Sequence, residues 1–420
     1  MGPVETALVV VAAVFVVGAL GESVFRRTGL PDVIWLIVAG ALLGPVAGLV
    51  RPSDLIGVAP LFAAITLVVV LFEGGSHLDL RGLTSSIVRA LSLSFVGFAF
   101  VVLATTLLVA IASAVGLLPA SWGPLHGVML GSILGGSSSV VIMPAMGLAR
   151  VEPRVSDLVS LESAFTDVYC VVGASVTIDL LLVTGGGDGG AASPGLALAG
   201  SFGIALGLGL AGGLAWVALL DRVARDEHGY THTLAALLGL YVLAGELGGS
   251  PPLAVLTFAI VVGNAPTVGR LLRVTTERRL GVELTAVHGQ IAFIIKSFFF
   301  TFIGLMLGPP WELMAIGLGA GVALYLLRRL ATRVALAGKG WSPAQRDAVA
   351  ACLPRGLAAG VLATLPAARG VPDTEHLPPF VFAAVVTTIV VFAAVFPRAR
   401  RRLTAEAGPP ADAPTPSEPR

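Results

Sequence analysis

The sequence predicts an all-α polytopic membrane protein with about thirteen transmembrane helices. Three observations carry that prediction. Of 420 residues, 56% are hydrophobic and only 12% charged, against about a quarter charged in a soluble domain. Apolar segments of about twenty residues recur along the chain, and about twenty are needed to cross a ~30 Å hydrocarbon core as a helix. Lysines and arginines gather in alternate connecting segments, the asymmetry expected of short cytoplasmic loops.

The spans are read in order. The first, near 3–24, has neither a basic leader nor a small-residue cleavage site, so it is taken as a retained helix, not a signal peptide. The second and third fall near 31–50 and 56–73, the third ending in Leu71-Phe72-Glu73-Gly74-Gly75. The fourth (87–116), fifth (124–147) and sixth (155–184) follow after short polar breaks. The glycine run 185–190 reads as a flexible outer linker. Beyond it lie spans near 195–220, 230–247 and 251–264. The last of these is short, with a Pro251-Pro252 start and a Gly263-Asn264 end. Whether it crosses fully, or is tilted and partly buried, stays open. Spans near 284–308, 311–336, 344–367 and 378–397 complete the set. Residues 399–420 are expected to form a cytoplasmic tail, Pro-rich and polar from Ala405 and disordered, with no soluble regulatory domain.

With the N-terminus outside, the predicted inner loops hold Arg26, Arg27, Arg81, Arg89, Arg150, Arg154, Arg222 and Arg225. Arg270, Arg273, Arg278, Arg279, Arg333, Lys339, Arg346, Arg398 and Arg400–Arg402 continue the series, whereas the outer loops hold only Arg51 and Arg369. That places the C-terminus in the cytoplasm of a cell (inner) membrane protein. The net charge of +1 is spread over short loops and gives no surface for nucleic acid. Cys170 and Cys352 lie in apolar segments and read as packing thiols. The six histidines show no metal-ligand spacing, and no cofactor is implied.

Two spans look discontinuous. In the fifth, Gly135-Gly136 and Ser137-Ser138-Ser139 weaken the helix where the membrane is deepest. In the twelfth, Pro354 and Gly356 do so around Arg355. If two six-span halves flank the span at 195–220, the interruptions occupy the fifth position of each. Broken helices in matching positions point to a transport site at a repeat interface.

Asp167 carries the chemistry. Counted from Asp157, it lies ~15 Å along the sixth span, near the bilayer centre. A carboxylate there is costly and marks an ion or proton pathway. Glu162, Ser163, Thr166 and Asp167 share one side of that helix. Two carboxylates and two hydroxyls then face one gap, an oxygen set suited to a hard monovalent cation such as Na⁺. A carboxylate that takes either a proton or a cation couples the two by competition. Lys296, Arg355, Arg328 and Arg329 are the intramembrane cations. Some are expected to neutralise these acids, Arg355 to compensate carbonyls at its helix break, and Arg328 to reach out to the inner interface. Lys296 reads as mid-span, too deep for that. Glu73 and Asp179 are expected at the rim or in a funnel.

These residues resemble the monovalent cation:proton antiporter superfamily, in particular its NhaP-type sodium/proton exchangers. Gly29-Leu30-Pro31 with Gly40 and Gly44-Pro45 is similar to an early helix signature of the family. Phe72-Glu73-Gly74-Gly75 through Asp79-Leu80 resembles its third-span ending, and Glu162-Ser163 with Thr166-Asp167 its Glu-Ser…Asn-Asp ion-binding motif. Phe299-Phe300 with Gly304 and Arg355-Gly356 match its late aromatic-glycine and Arg-Gly motifs. The resemblance implies inverted repeats with two crossed discontinuous helices. It also implies a homodimer in which a mobile core, approximately 84–185 and 311–398, moves against a scaffold, approximately 1–83 and 195–310. Asp167 becomes the exchanging carboxylate for Na⁺ (Li⁺ or K⁺ as alternatives) and protons, and Ser163 an ion ligand. Glu162 becomes a ligand or structural acid. Ser137 stands where relatives place Thr, and Arg329 at a basic position that pairs with a core acid. Three positions depart from the pattern. Thr166 replaces the Asn or Asp before the exchanging acid, Ser138-Ser139 replace an Asp-Pro pair, and Lys296 replaces a neutral or acidic residue. In this family an Asn-Asp pair accompanies electroneutral exchange. The single acid of Thr166-Asp167 therefore implies the same, unless Lys296 releases a proton of its own. An organic-anion or bile-acid-like symporter is disfavoured by the two core acids. An intramembrane hydrolase built on Ser137 lacks an oriented histidine.

Overall fold

The computed structural model describes residues 3–50, 59–76, 85–119, 121–185, 194–223, 228–272, 282–308, 311–338 and 340–407. Among the expectations above, the linker at 186–190, Arg51, Asp79, Leu80, Arg81, Arg225, Arg273, Arg278, Arg279, Lys339 and the tail from 408 lie outside the described residues.

The described residues are helices and short connections, with no strand among them. In order they are α1 (Pro3–Thr28), α2 (Asp32–Ala41, continued by a wider turn Leu42–Val46), α3 (Ala59–Ser76), α4 (Ser85–Ala114), α5 (Pro124–Leu134) and α6 (Ser139–Leu148). Next come α7 (Pro153–Gly185), α8 (Pro194–Val223), α9 (Gly229–Glu246), α10 (Pro251–Gly263), α11 (Ala265–Leu272) and α12 (Val282–Leu305). The chain ends with α13 (Trp311–Ala335), α14 (Pro343–Ala351), α15 (Leu357–Leu362), α16 (Leu365–Ala368) and α17 (Leu377–Ala407). Six described stretches are long and apolar enough to cross a membrane: Ile87–Ala114, Pro124–Leu148, Pro153–Thr184, Ala199–Leu219, Trp311–Ala335 and Leu377–Glu406. The protein is an all-helical, multi-pass membrane protein.

Two predicted boundaries change. Asn264, read as the end of a short span, joins α10 to α11. Its side-chain amide donates to the Ile260 carbonyl at 2.8 Å, and its own carbonyl accepts from Thr267 N at 2.9 Å and Val268 N at 3.0 Å. One residue thus closes one helix and opens the next. The tail expected from 399 is helical as far as Ala407. Pro397 removes one donor, but the following Arg, Leu, Ala and Glu residues favour helix. Arg402 also holds Asp347 of α14 at 2.8 Å.

Helices α4, α5 and α7 pack on one another, and α13 packs on α4 and α17; α12 packs on α2, and α10 lies between α8 and α3. Helix α3 touches both α10 and α15, and so lies between the two groups. The α2–α12 contact is made by backbone. A Cβ built on Gly40 would overlap the Thr301 carbonyl, and one on Gly304 the Ile37 carbonyl. Beside it, Phe299 and Phe300 are fully buried, and Phe299 packs against Phe302 and Phe382.

Gly40→Val and Gly304→Val are each expected to destabilise the protein by about 1–3 kcal/mol or more, since overpacking forces the helices apart. A thermal-unfolding midpoint in detergent that did not fall would contradict the close approach.

Candidate ion-exchange site

The site is built on two interruptions that satisfy each other. Helix α5 stops at Leu134 and α6 restarts at Ser139; α14 stops at Ala351 and α15 restarts at Leu357. In a low-dielectric surround every backbone group freed by such a break needs a partner. The Ser138 N–H donates to the Pro354 carbonyl at 2.8 Å. From the second break, Arg355 Nη1 donates to the Gly136 carbonyl. The Ser137 N–H donates to Thr166 Oγ1 at 3.2 Å, and the Arg355 N–H to Thr388 Oγ1 at 3.0 Å. Gly356 is required here, because a Cβ would overlap the Ser138 side chain. Arg355 lies past the C-terminal end of α5, where a positive charge opposes the helix dipole. Its Nε is buried without a hydrogen-bond partner among the described residues.

The four residues read on one side of α7 divide into two environments. Glu162 is 1% exposed. Both its oxygens face Arg328: Nη1 donates to Oε1 at 2.7 Å and Nη2 to Oε2 at 3.0 Å. Ser137 Oγ adds a third bond to Oε2 at 2.9 Å. Ser163 Oγ shares a hydrogen bond of 2.9 Å with Ser137 Oγ, and Thr166 Oγ1 donates to the Ser163 carbonyl at 3.0 Å. Ser163 is fully buried. Ser163, Glu162 and Thr166 thus form a closed polar network behind the first break. Both Glu162 oxygens are engaged within this network.

Asp167 lies on the other side of that network and is only partly buried. It lines a cavity of about 1370 Å³ together with Ser139, Glu73, Gly74, Asp32 and Lys296. It also lines a small pocket formed by Gly136, Ser137, Ser138, Ser139, Cys170 and Gly356 at the helix breaks. Gly74 of α3 faces it directly; a Cβ there would stand 3.4 Å from Asp167 Oδ2. Among the described residues, Asp167 has neither an ion pair nor a hydrogen bond from a side chain. The other acids of the large cavity are engaged: Glu22 with Arg26 at 2.8 Å, Asp32 with Lys296 at 2.6 Å, and Glu73 with neighbouring groups. Ser138 and Ser139 line that small pocket with Asp167, so hydroxyls stand on the same wall as the carboxylate.

Three expectations are corrected. Arg328 does not reach for the interface: it is 4% exposed and is the partner of Glu162. Arg329, one residue on and hence about 100° around the helix, points away and stacks over Tyr325 at 5.8 Å. Lys296 does not compensate the acids of α7; it binds Asp32, the first residue of α2. Sequence reading missed Asp32, because an acid after Pro31 looks like an ordinary first-turn residue. At the far end of α7, Asp179 is 8% exposed and pairs with Arg369 at 2.7 Å.

Two broken helices are thus joined beside a partly buried acid. The chain belongs to the sodium/hydrogen exchanger family: the model described as "Sodium/hydrogen exchanger, transmembrane" matches residues 11–398. It is 25% identical over 403 residues to the K(+)/H(+) antiporter NhaP2 of Shewanella sp. (strain MR-4), covering 94% of this chain and 66% of that protein. It is 26% identical over 410 residues to the K(+)/H(+) antiporter NhaP of Alkalimonas amylolytica, again covering 94% of this chain and 66% of the relative. The chain thus spans a little under two thirds of the length of these curated relatives. The sodium proton antiporter MjNhaP1 from Methanocaldococcus jannaschii superposes with a TM-score of 0.69 at 19% identity, covering 96% of this chain and 100% of that one. The fold is of the NhaP type.

Removing one partner of a buried ion pair costs about 3–5 kcal/mol. Glu162→Gln and Arg328→Gln are therefore expected to lower the unfolding midpoint strongly, and Arg329→Gln to leave it within error. The exchanged pair Glu162→Arg/Arg328→Glu should recover part of the loss. A double variant no more stable than the worse single one would dismiss the pairing.

Proposed function

We propose that this protein exchanges a monovalent alkali cation for protons by alternating access, with Asp167 as the carboxylate both ions share. One observation carries the reading: Asp167 is the acid of the cavity with no partner among the described residues, at the meeting point of two helix breaks. A carboxylate held without a counter-ion must take a proton or a cation to be neutral in a low-dielectric site. It can hold only one at a time, so loading one releases the other. Family membership and the K(+)/H(+) and sodium proton names of the relatives support this class of activity. Na⁺ remains the first candidate, with K⁺ and Li⁺ to be compared.

The packing supports a transport cycle of that kind. The acid sits on α7, which packs on α4 and α5 in the group that α13 and α17 complete, and α3 presents Gly74 against it. We take the first group as the moving core, 84–185 with 311–398, and the remainder as the scaffold and dimer face. A backbone glycine opposite Asp167 leaves no side chain to obstruct sliding. Each helix, or interrupted pair of helices, is read as one span, giving about thirteen in inverted repeats with the two breaks crossing. The N-terminus is then outside, and the large cavity, with Arg26 at its exposed end, opens to the cytoplasm. With Glu162 neutralised by Arg328 and Lys296 by Asp32, one cation exchanges for one proton and no net charge moves.

In proteoliposomes carrying an internal pH dye, Asp167→Asn is expected to abolish cation-driven proton flux while the protein still inserts and purifies. Flux well above background in that variant would remove Asp167 from the role. Competition also fixes the sign of the pH dependence. As pH falls, protons fill Asp167 and the apparent cation affinity weakens, by up to about tenfold per pH unit where the protonated form dominates. An affinity independent of pH between 6 and 9 would contradict a shared carboxylate.

A further inference from the structure

The cavity holds a second acid whose occupant is already present. Asp32 opens α2, and its carboxylate, only 12% exposed, receives the Lys296 ammonium at 2.6 Å. Lys296 is 14% exposed and also lies over the Phe293 ring, 5.3 Å from its centre. Both residues line the same cavity as Asp167. The two helices that carry them, α2 and α12, are pressed backbone to backbone at Gly40 and Gly304, so the pair has little freedom to separate. The carboxylate also sits in the first turn of its helix, where the dipole favours negative charge. An ammonium and an alkali ion are both monovalent cations that pair with carboxylate oxygens. The one difference is that the ammonium is tethered.

We infer that Lys296 is a built-in cation that occupies Asp32 and so keeps alkali-cation loading to Asp167 alone. The inference rests on the proposed role of Asp167 and adds to it a reason for the one-cation stoichiometry. Without the lysine, Asp32 would be an unpaired carboxylate on the wall of the large cavity, ready for a second alkali ion. Without the aspartate, the ammonium would face the cavity unneutralised and repel cations on their way to Asp167. The two single changes therefore act in opposite directions, which a merely structural ion pair would not do.

The test counts ²²Na⁺ and ⁸⁶Rb⁺ sites on purified protein in lipid nanodiscs at alkaline pH. Wild type is expected to bind one ion per chain, Lys296→Gln two, and Lys296→Gln/Asp32→Asn one. Asp167→Asn/Lys296→Gln should retain one site, lost when Asp32→Asn is added. That arm separates the two readings, because it reports Asp32 whether or not Asp167 is the exchanging group. Asp32→Asn alone should keep one site but weaken it on the order of tenfold at low ionic strength, with the effect shrinking as choline chloride is added. Should Lys296→Gln fold poorly, Lys296→Cys provides the second route. It should bind two ions, return to one after attachment of an aminoethyl thiol, and stay at two after a methyl thiol of no charge. One site in both Lys296 variants, or Asp32→Asn with unchanged affinity, would overturn the inference.

Discussion

The whole site depends on the mutual satisfaction of two broken helices. An interruption at membrane depth leaves donors and acceptors that neither lipid nor the helix can meet. Here each break supplies what the other lacks: the Pro354 carbonyl takes the Ser138 N–H, and Arg355 takes the Gly136 carbonyl. Thr166 and Thr388 close two further positions from neighbouring helices. Because these bonds join α5, α7, α15 and α17, losing one break would orphan groups in the other. Open backbone can thus be held beside Asp167 without collapsing into helix or admitting lipid.

Two carboxylates five residues apart on α7 meet opposite fates for the same reason. Glu162 is enclosed and fully bonded by Arg328 and Ser137. That pair is weak evidence for stability in itself, but removing either half leaves a buried charge, so it fixes where α13 and α7 sit relative to each other. Asp167 faces the cavity with nothing bound to it among the described residues. The first acid holds the wall in place; the second is the one we propose exchanges. Two other acids of the cavity, Glu22 and Asp32, are paired with Arg26 and Lys296.

Much of this was legible in the sequence because membrane helices are written in long apolar runs. Glycine, serine and proline clusters at 135–139 and 354–356 gave both interruptions, and depth along α7 singled out Asp167. Partner choice was harder to read. Arg328 and Arg329 are adjacent, and hydropathy does not tell which one turns inward; the packing of α13 on α4, α14 and α17 decides it. The Lys296–Asp32 pair joins residues 264 positions apart, so no local spacing announces it. The division of Glu162 from Asp167 was also hidden. A helical wheel places them on one side, but the first break wedges Ser137 between their surroundings. At the C-terminus, composition suggested disorder, whereas helix propensity and the Arg402–Asp347 contact carry α17 to Ala407.

The central claim is that one carboxylate trades a proton for a cation. Proton release on cation binding measures that trade without requiring transport. Titrating purified protein with Na⁺ or K⁺ by calorimetry, in buffers of different ionisation enthalpy, gives the number of protons released per cation bound. The account predicts a value rising to one at pH values where Asp167 begins protonated, and falling toward zero at high pH. A cation that binds with no proton released at any pH, or the same release from Asp167→Asn, would contradict it.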